Sequence, residues 1–101
     1  MKTKEQLINL GLPEFKADEI MLLESKMLEQ AVKFQFRKKD GSVRDAIGTL
    51  KRGLMRLADG TMWEPKGESK PEPESVIRYF DLEKQMWRCF TCTDFIKVVE
   101  V

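Results

Sequence analysis

Cys89-Phe90-Thr91-Cys92 is a C-x-x-C spacing, and it raises two chemistries, thiol–disulfide exchange and metal binding. A redox pair needs its first thiol at a helix N-terminus, where the local field lowers the thiol pKa. A zinc site needs four ligands, usually with a second Cys or His pair, and this chain has two cysteines and no histidine. On a regular strand, positions three apart also point to opposite faces. The residues therefore read as two small free thiols in a reducing compartment, with no metal and no cofactor. General acid–base chemistry lacks its commonest agent, histidine, and no carboxylate pair stands out. Ser25, Ser42, Ser69 and Ser75 have no base at a telling spacing. The stretch KGESK has neither the glycine spacing nor the following helix of a phosphate loop. The chain reads as non-enzymatic, with no catalytic residue to name.

Charge is the more informative chemistry. The net charge is only +1, but residues 32–56 hold Lys33, Arg37, Lys38, Lys39, Arg44, Lys51, Arg52 and Arg56 against Asp40 and Asp45, a local excess of +6. The flanking segments are acidic, at −2 for residues 1–31 and −3 for residues 57–101. A basic segment of this kind suits polyanions. The plainer account is a solvated strand face balanced in space by the acidic ends. Two further arginines, Arg78 and Arg88, fall on neighbouring strands of one hairpin, where Arg37 or Arg44 can join them to grip phosphate bidentately. For any one arginine, cross-strand pairing with Asp81, Glu83 or Asp94 is the simpler role. Trp63, in a polar loop, either staples that loop to the body of the protein or stands free for a base or partner to stack on; the staple is favoured. The candidate ligand-binding residues are thus Arg37, Lys39, Arg44, Lys51, Trp63, Arg78 and Arg88.

The elements that position these residues follow from period and punctuation. Thr3-x-x-Gln6 is a capping-box spacing ahead of Leu7, Ile8 and Leu10, with Gly11 as a stop, so a helix is expected over about 4–10. Pro13 suits the first turn of a second helix. Ala17, Ile20, Leu23, Met27, Leu28 and Ala31 form that helix's apolar face. From Val32 the period changes to two: Val32, Phe34 and Phe36 alternate with Lys33, Gln35 and Arg37. Asp40-Gly41 is a hairpin turn, returning through Val43–Thr49, a strand blurred because Asp45 shares a side with Val43 and Ile47. Gly48 marks a bulge or a close backbone approach. Leu54–Leu57 reads as a short extra strand. Residues 59–75, rich in Gly, Pro and charge, read as a loop that is mobile around GESKPEPES. A second hairpin, Val76–Asp81 and Met86–Thr91, turns through Leu82–Gln85, and Phe95–Val99 closes the series.

A helical segment at 1–31 followed by about five short antiparallel strands is an α+β order, that of an Sm-like, SH3-type barrel spanning 32–101 within a single domain. Val32, Phe34, Phe36, Ile47, Ile77, Tyr79, Trp87 and Ile96 are the expected core. No apolar run is long enough to span a bilayer, and MKTKEQLINLGLPEF carries charge where a secretory leader needs an unbroken apolar stretch, so a cytoplasmic location is expected.

Lys39-Asp40-Gly41 with Arg44, then Gly48-Thr49, Tyr79-Phe80-Asp81, Trp87-Arg88 with Phe90, and Phe95-Ile96 resemble, in order and spacing, a WYL-like family of small bacterial proteins. The resemblance excludes the N-terminal helices. It implies an Sm-like, SH3-type β-barrel akin to that of WYL-domain transcription regulators, which are viewed as ligand sensors and in some cases bind nucleic acid or nucleotides through basic residues. It also implies an origin among Bacteroidetes and their phages or mobile elements. The Trp-Tyr-Leu tripeptide is absent, and no helix-turn-helix precedes the barrel. The expected function is a binding module for single-stranded nucleic acid or a nucleotide through the basic barrel face. The alternative is a protein-interaction or structural adaptor using the barrel rim and the Trp63 loop.

Overall fold

The structure, a computed structural model, describes residues 1–65 and 71–100; the centre of the expected mobile stretch, residues 66–70, lies outside the described residues, as does residue 101. Helix α1, Lys4–Asn9, is closed by the expected capping box: the Gln6 amide donates to Thr3 Oγ1 at 3.2 Å, and the Thr3 amide donates to Gln6 Oε1 at 2.9 Å. Gly11, at φ +97°, takes the left-handed turn that stops it. Helix α2 spans Glu14–Met27. Pro13 stands just outside α2 as an extended N-cap (ψ 155°) rather than within its first turn, and its carbonyl accepts the first helical bonds, from Lys16 and Ala17 at 3.0 Å. Of the expected apolar face, Ala17, Ile20, Leu23 and Met27 are buried, while Leu28, past the helix end, is exposed.

Five strands follow: β1 (Val32–Arg37), β2 (Val43–Thr49), β3 (Val76–Asp81), β4 (Met86–Thr91) and β5 (Phe95–Glu100), in the sheet order β4-β3-β2-β1-β5, with antiparallel pairing throughout. The sheet does not close into the expected barrel. Among the described residues β4 and β5 do not pair; a 3-10 turn, Cys92–Asp94, joins them instead. The helix layer supplies the physical reason. Lys16 Nζ donates to the Ile96 carbonyl, and the Val98 amide donates to Glu19 Oε2 at 2.8 Å. Side chains of α2 thus take β5 backbone groups that a closing strand would have needed. The expected strand at Leu54–Leu57 is also absent. Arg52–Leu54 is a single 3-10 turn, and only Arg56 makes an isolated bridge, to Met62.

The inner face of the sheet carries the core. Phe34 and Tyr79 meet edge to face at 5.1 Å, Phe36 and Phe90 stack at 5.1 Å, and Val32, Ala46, Ile77 and Phe95 fill around them under α2. Ile47, Trp87 and Ile96, expected in this core, are only partly buried. For β2 the even-numbered side faces in, as Phe34 pairs with Ala46 and Val32 with Gly48, and this turns Ile47 outward. The inward position of Gly48 is required by space: a Cβ there would come 2.6 Å from Tyr79 Cδ2 and 3.1 Å from Phe34 Cε1. That is the close backbone approach its place in a strand suggests. Trp87 pairs with Phe80 on the opposite face, forming a second aromatic cluster with Trp63.

A polar network ties the N-terminal segment to this body. The Lys2 amide donates to Glu24 Oε1 at 3.1 Å, and Lys2 Nζ reaches Glu72 Oε2 at 3.1 Å and the Pro73 carbonyl at 3.0 Å. Burial, outweighing the Lys2 hydrogen bond, raises the Glu24 carboxyl above its ordinary 4.5. Between that value and the folded one, the native state holds more protons than the unfolded chain, so this group's contribution to stability falls as pH rises. Glu24→Gln keeps the acceptor and removes the buried charge. Its melting temperature at pH 7 is expected to equal or exceed that of the unsubstituted protein. The gap should vanish as pH falls towards 4.5, measured by parallel thermal scans. A variant clearly less stable at pH 7 would show that the charge itself is needed.

Among the described residues no helix is long and apolar enough to cross a membrane.

Candidate functional site

The inner face ends in a group of basic side chains. On β2, Arg44 points inward opposite Phe36; on β4, Arg88 points inward opposite Tyr79. The β1–β2 turn, Lys38 to Ser42, folds over this end. It is shaped by Asp40, whose Oδ1 accepts from the Ser42 amide at 2.9 Å and the Ser42 hydroxyl at 2.6 Å, and by Gly41 at φ +89°. The Ser42 hydroxyl and amide hold the Asp40 carboxyl below its ordinary value. Lys39 reaches across to β4 and the turn beyond it, donating to Thr91 Oγ1 at 3.0 Å with Asp94 3.9 Å away. The result is a cleft of about 350 Å³ lined by Phe36, Lys38, Lys39, Asp40, Arg44, Arg88 and Cys89.

Arg44 is fixed from behind. Its Nη2 donates to Asp81 Oδ2 at 2.5 Å, with the Arg44 side chain 15% and that of Asp81 0% exposed. The other carboxylate oxygen of Asp81 accepts the Glu83 and Lys84 amides, both at 2.9 Å. One carboxylate therefore both orients the guanidinium and closes the Leu82–Gln85 turn, where Gln85 sits at φ +56°. Arg88 has no ion-pair partner among the described residues.

The structure separates the seven candidates into groups. Lys39, Arg44 and Arg88 come together in the cleft. Arg37 lies on the outer face of β1, where its Nη1 donates to the Gly41 carbonyl at 2.8 Å, so it buttresses the turn rather than joining the cleft. Lys51 is exposed at the start of the Arg52–Leu54 turn. Arg78 is opposite Cys89 on the face away from the core, and its amide donates to Glu72 Oε1 at 2.6 Å. Arg78 and Arg88, on neighbouring strands, thus point to opposite sides of one hairpin, because Arg88 is the register partner of Tyr79, the residue next to Arg78. Trp63 is half-buried against Trp87 at 5.2 Å, with its amide donating to the Met55 carbonyl at 2.9 Å and the Arg52 guanidinium 5.9 Å over its ring. The loop tryptophan is a staple. Lys38, named above only in the basic segment, and Phe36, named above only as core, also line the cleft. The signal for Lys38 was its place in the Asp40-Gly41 turn, and that for Phe36 its inward phase at the strand end.

The two cysteines are free; Cys89 is exposed and Cys92 buried, with burial pushing the Cys92 thiol up to about 11. Among the described residues no group of three or more Cys, Asp or Glu is placed to hold a metal.

Two helices and a five-stranded antiparallel sheet make this an α+β protein, an arrangement consistent with an Sm-like, SH3-type fold. The family model described as WYL_2, Sm-like SH3 beta-barrel fold, matches residues 20–96, and the chain belongs to that family. No curated protein and no solved structure matches the chain.

Proposed function

We propose that this protein is a non-enzymatic binding module that takes single-stranded nucleic acid or a nucleotide through the cleft between the β1–β2 turn and β4. One observation carries the reading: Lys38, Lys39, Arg44 and Arg88, from three different parts of the chain, converge around one aromatic-floored cleft. Fixed guanidinium groups suit phosphate better than flexible ammonium groups do, since their planar fork is already oriented. No base-reading motif is visible in the sequence, so binding is sequence-tolerant.

The test compares two double substitutions in gel-shift titrations against a single-stranded 12-mer at two salt concentrations. Lys38→Glu with Arg88→Glu reverses two cleft charges, both on exposed residues. It should weaken binding at least tenfold at low salt and flatten the logarithmic salt slope by about 1.4. Arg37→Glu with Lys51→Glu, outside the cleft, should change both much less. Absence of wild-type binding at low salt, or equal loss in the two pairs, overturns the reading.

A second reading, a protein-interaction adaptor, is favoured by a different observation. The outward side of α2 leaves Phe15 67% and Leu22 46% exposed. Association through that face would persist at high salt, because apolar burial is not screened, and would be lost in Phe15→Asp.

A further inference from the structure

Among the described residues, two buried polar atoms beside the cleft have no hydrogen-bond partner: Arg44 Nε and the hydroxyl of Tyr79, a residue with no exposed surface. Such groups are rare in folded proteins and each needs an account, because a buried donor that makes no hydrogen bond has lost its hydration without compensation. Their placement is coherent. Tyr79 is the register partner of Arg88, and its hydroxyl feels the charges of Asp81, Arg44 and Arg88. Burial above all pushes that hydroxyl up to about 12, which keeps it a donor. Arg44 cannot turn its Nε to another partner while Asp81 holds its Nη2. Arg88 supplies a third donor, unpaired among the described residues. Arg44 and Arg88 line the cleft, and Tyr79 lies behind it as the register partner of Arg88; three donor groups so placed ask for one acceptor with several oxygens.

Resting on the nucleic-acid reading, we infer that the cleft recognises the terminal phosphate monoester of a nucleotide, with Arg44, Arg88 and Tyr79 as its donors, rather than the internal phosphodiesters of a strand. A monoester presents three free oxygens at the end of a chain, whereas an internal diester presents two and must continue in both directions. The cleft volume of about 350 Å³ lies at the small end of the roughly 300–1,000 Å³ range of ligand pockets, room for one nucleotide-sized unit. Lys38 and Lys39 at the rim then attract the strand's remaining charge without fixing it.

The experiment is calorimetric titration of the full chain at pH 8 with three probes. They are a tetrathymidylate phosphorylated at both ends, a hydroxyl-ended octathymidylate of matching charge (about −7), and thymidine monophosphate. The phosphorylated tetramer is expected to bind at least tenfold tighter than the octamer. Thymidine monophosphate binding as tightly as the tetramer assigns a free nucleotide as the ligand. Monophosphate binding more than tenfold weaker assigns a strand end. Both outcomes support the monoester. Tyr79→Phe separates ligand binding from folding: removing an unpartnered buried hydroxyl should leave the melting temperature equal or higher, yet cut the tetramer's affinity at least threefold. Equal binding of tetramer and octamer sinks the terminal-phosphate inference while leaving the nucleic-acid reading intact. Unchanged affinity in Tyr79→Phe removes the hydroxyl from the site. No binding of any probe sinks both readings.

Discussion

Replacing Phe34 with alanine is expected to cost about 3–5 kcal/mol, a large share of the roughly 5–15 kcal/mol that holds a domain of this size. Phe34 is fully buried and meets Tyr79 at 5.1 Å, Phe90 at 5.5 Å and Phe36 at 6.2 Å. It also flanks the bare backbone of Gly48. Truncation removes the hub of that cluster, and the surrounding rings are held on three strands that cannot all move inward to fill the space. Urea unfolding followed by tryptophan fluorescence should show a lower midpoint with an unchanged slope, or a variant unfolded without denaturant. Phe34→Leu, which keeps most of the volume, should recover much of the loss. A cost below about 1 kcal/mol for the alanine variant would mean the aromatic cluster does not organise the fold.

Asp81→Ala is expected to cost a similar amount, about 3–5 kcal/mol, for a different reason. It strips the partner from an arginine that is itself largely buried, leaving an uncompensated charge. It also orphans the Glu83 and Lys84 amides that close the β3–β4 turn. Asp81→Asn keeps an oxygen for those amides and should fall between the two. Pairing Asp81→Ala with Arg44→Met should restore part of the stability, since the unpaired charge is then gone, and a double-mutant cycle measures the coupling. Additive losses in that cycle would show that the ion pair is incidental. The pair also links stability to binding, because the residue that holds Arg44 in the cleft is the one that closes the adjacent turn.

Much of this architecture is legible in local residue patterns. Thr3 and Gln6 carry their capping box wherever the helix sits, because both partners lie within one turn. The alternation through Val32–Arg37 defines a half-buried strand, and Asp40-Gly41 a hairpin turn, through backbone preferences that act over four residues. The pairing of Arg44 with Asp81 was among the simple roles open to an arginine on this sheet.

Alternation sets the phase of a strand but not which phase faces the core when both sides are mixed. On β2 one side offers Arg44, Ala46 and Gly48, the other Val43, Asp45 and Ile47; hydrophobicity alone favours the second. The Tyr79 ring settles it, since only a glycine backbone leaves room for that ring. Choosing that phase turns Arg44 inward and Ile47 outward. On the next hairpin, register places Arg88 with Tyr79 and Trp87 with Phe80, which separates Arg88 from Arg78 and sends Trp87 to meet Trp63. The cleft is likewise a product of tertiary structure, because its cations come from a turn, a central strand and an edge strand. The sheet stays open because Lys16 and Glu19 on α2 take backbone groups of β5. Short-range preferences act within a few residues and can be read along the chain; those choices depend on which surfaces meet, and space and unpaired backbone groups decide them only once the elements are packed.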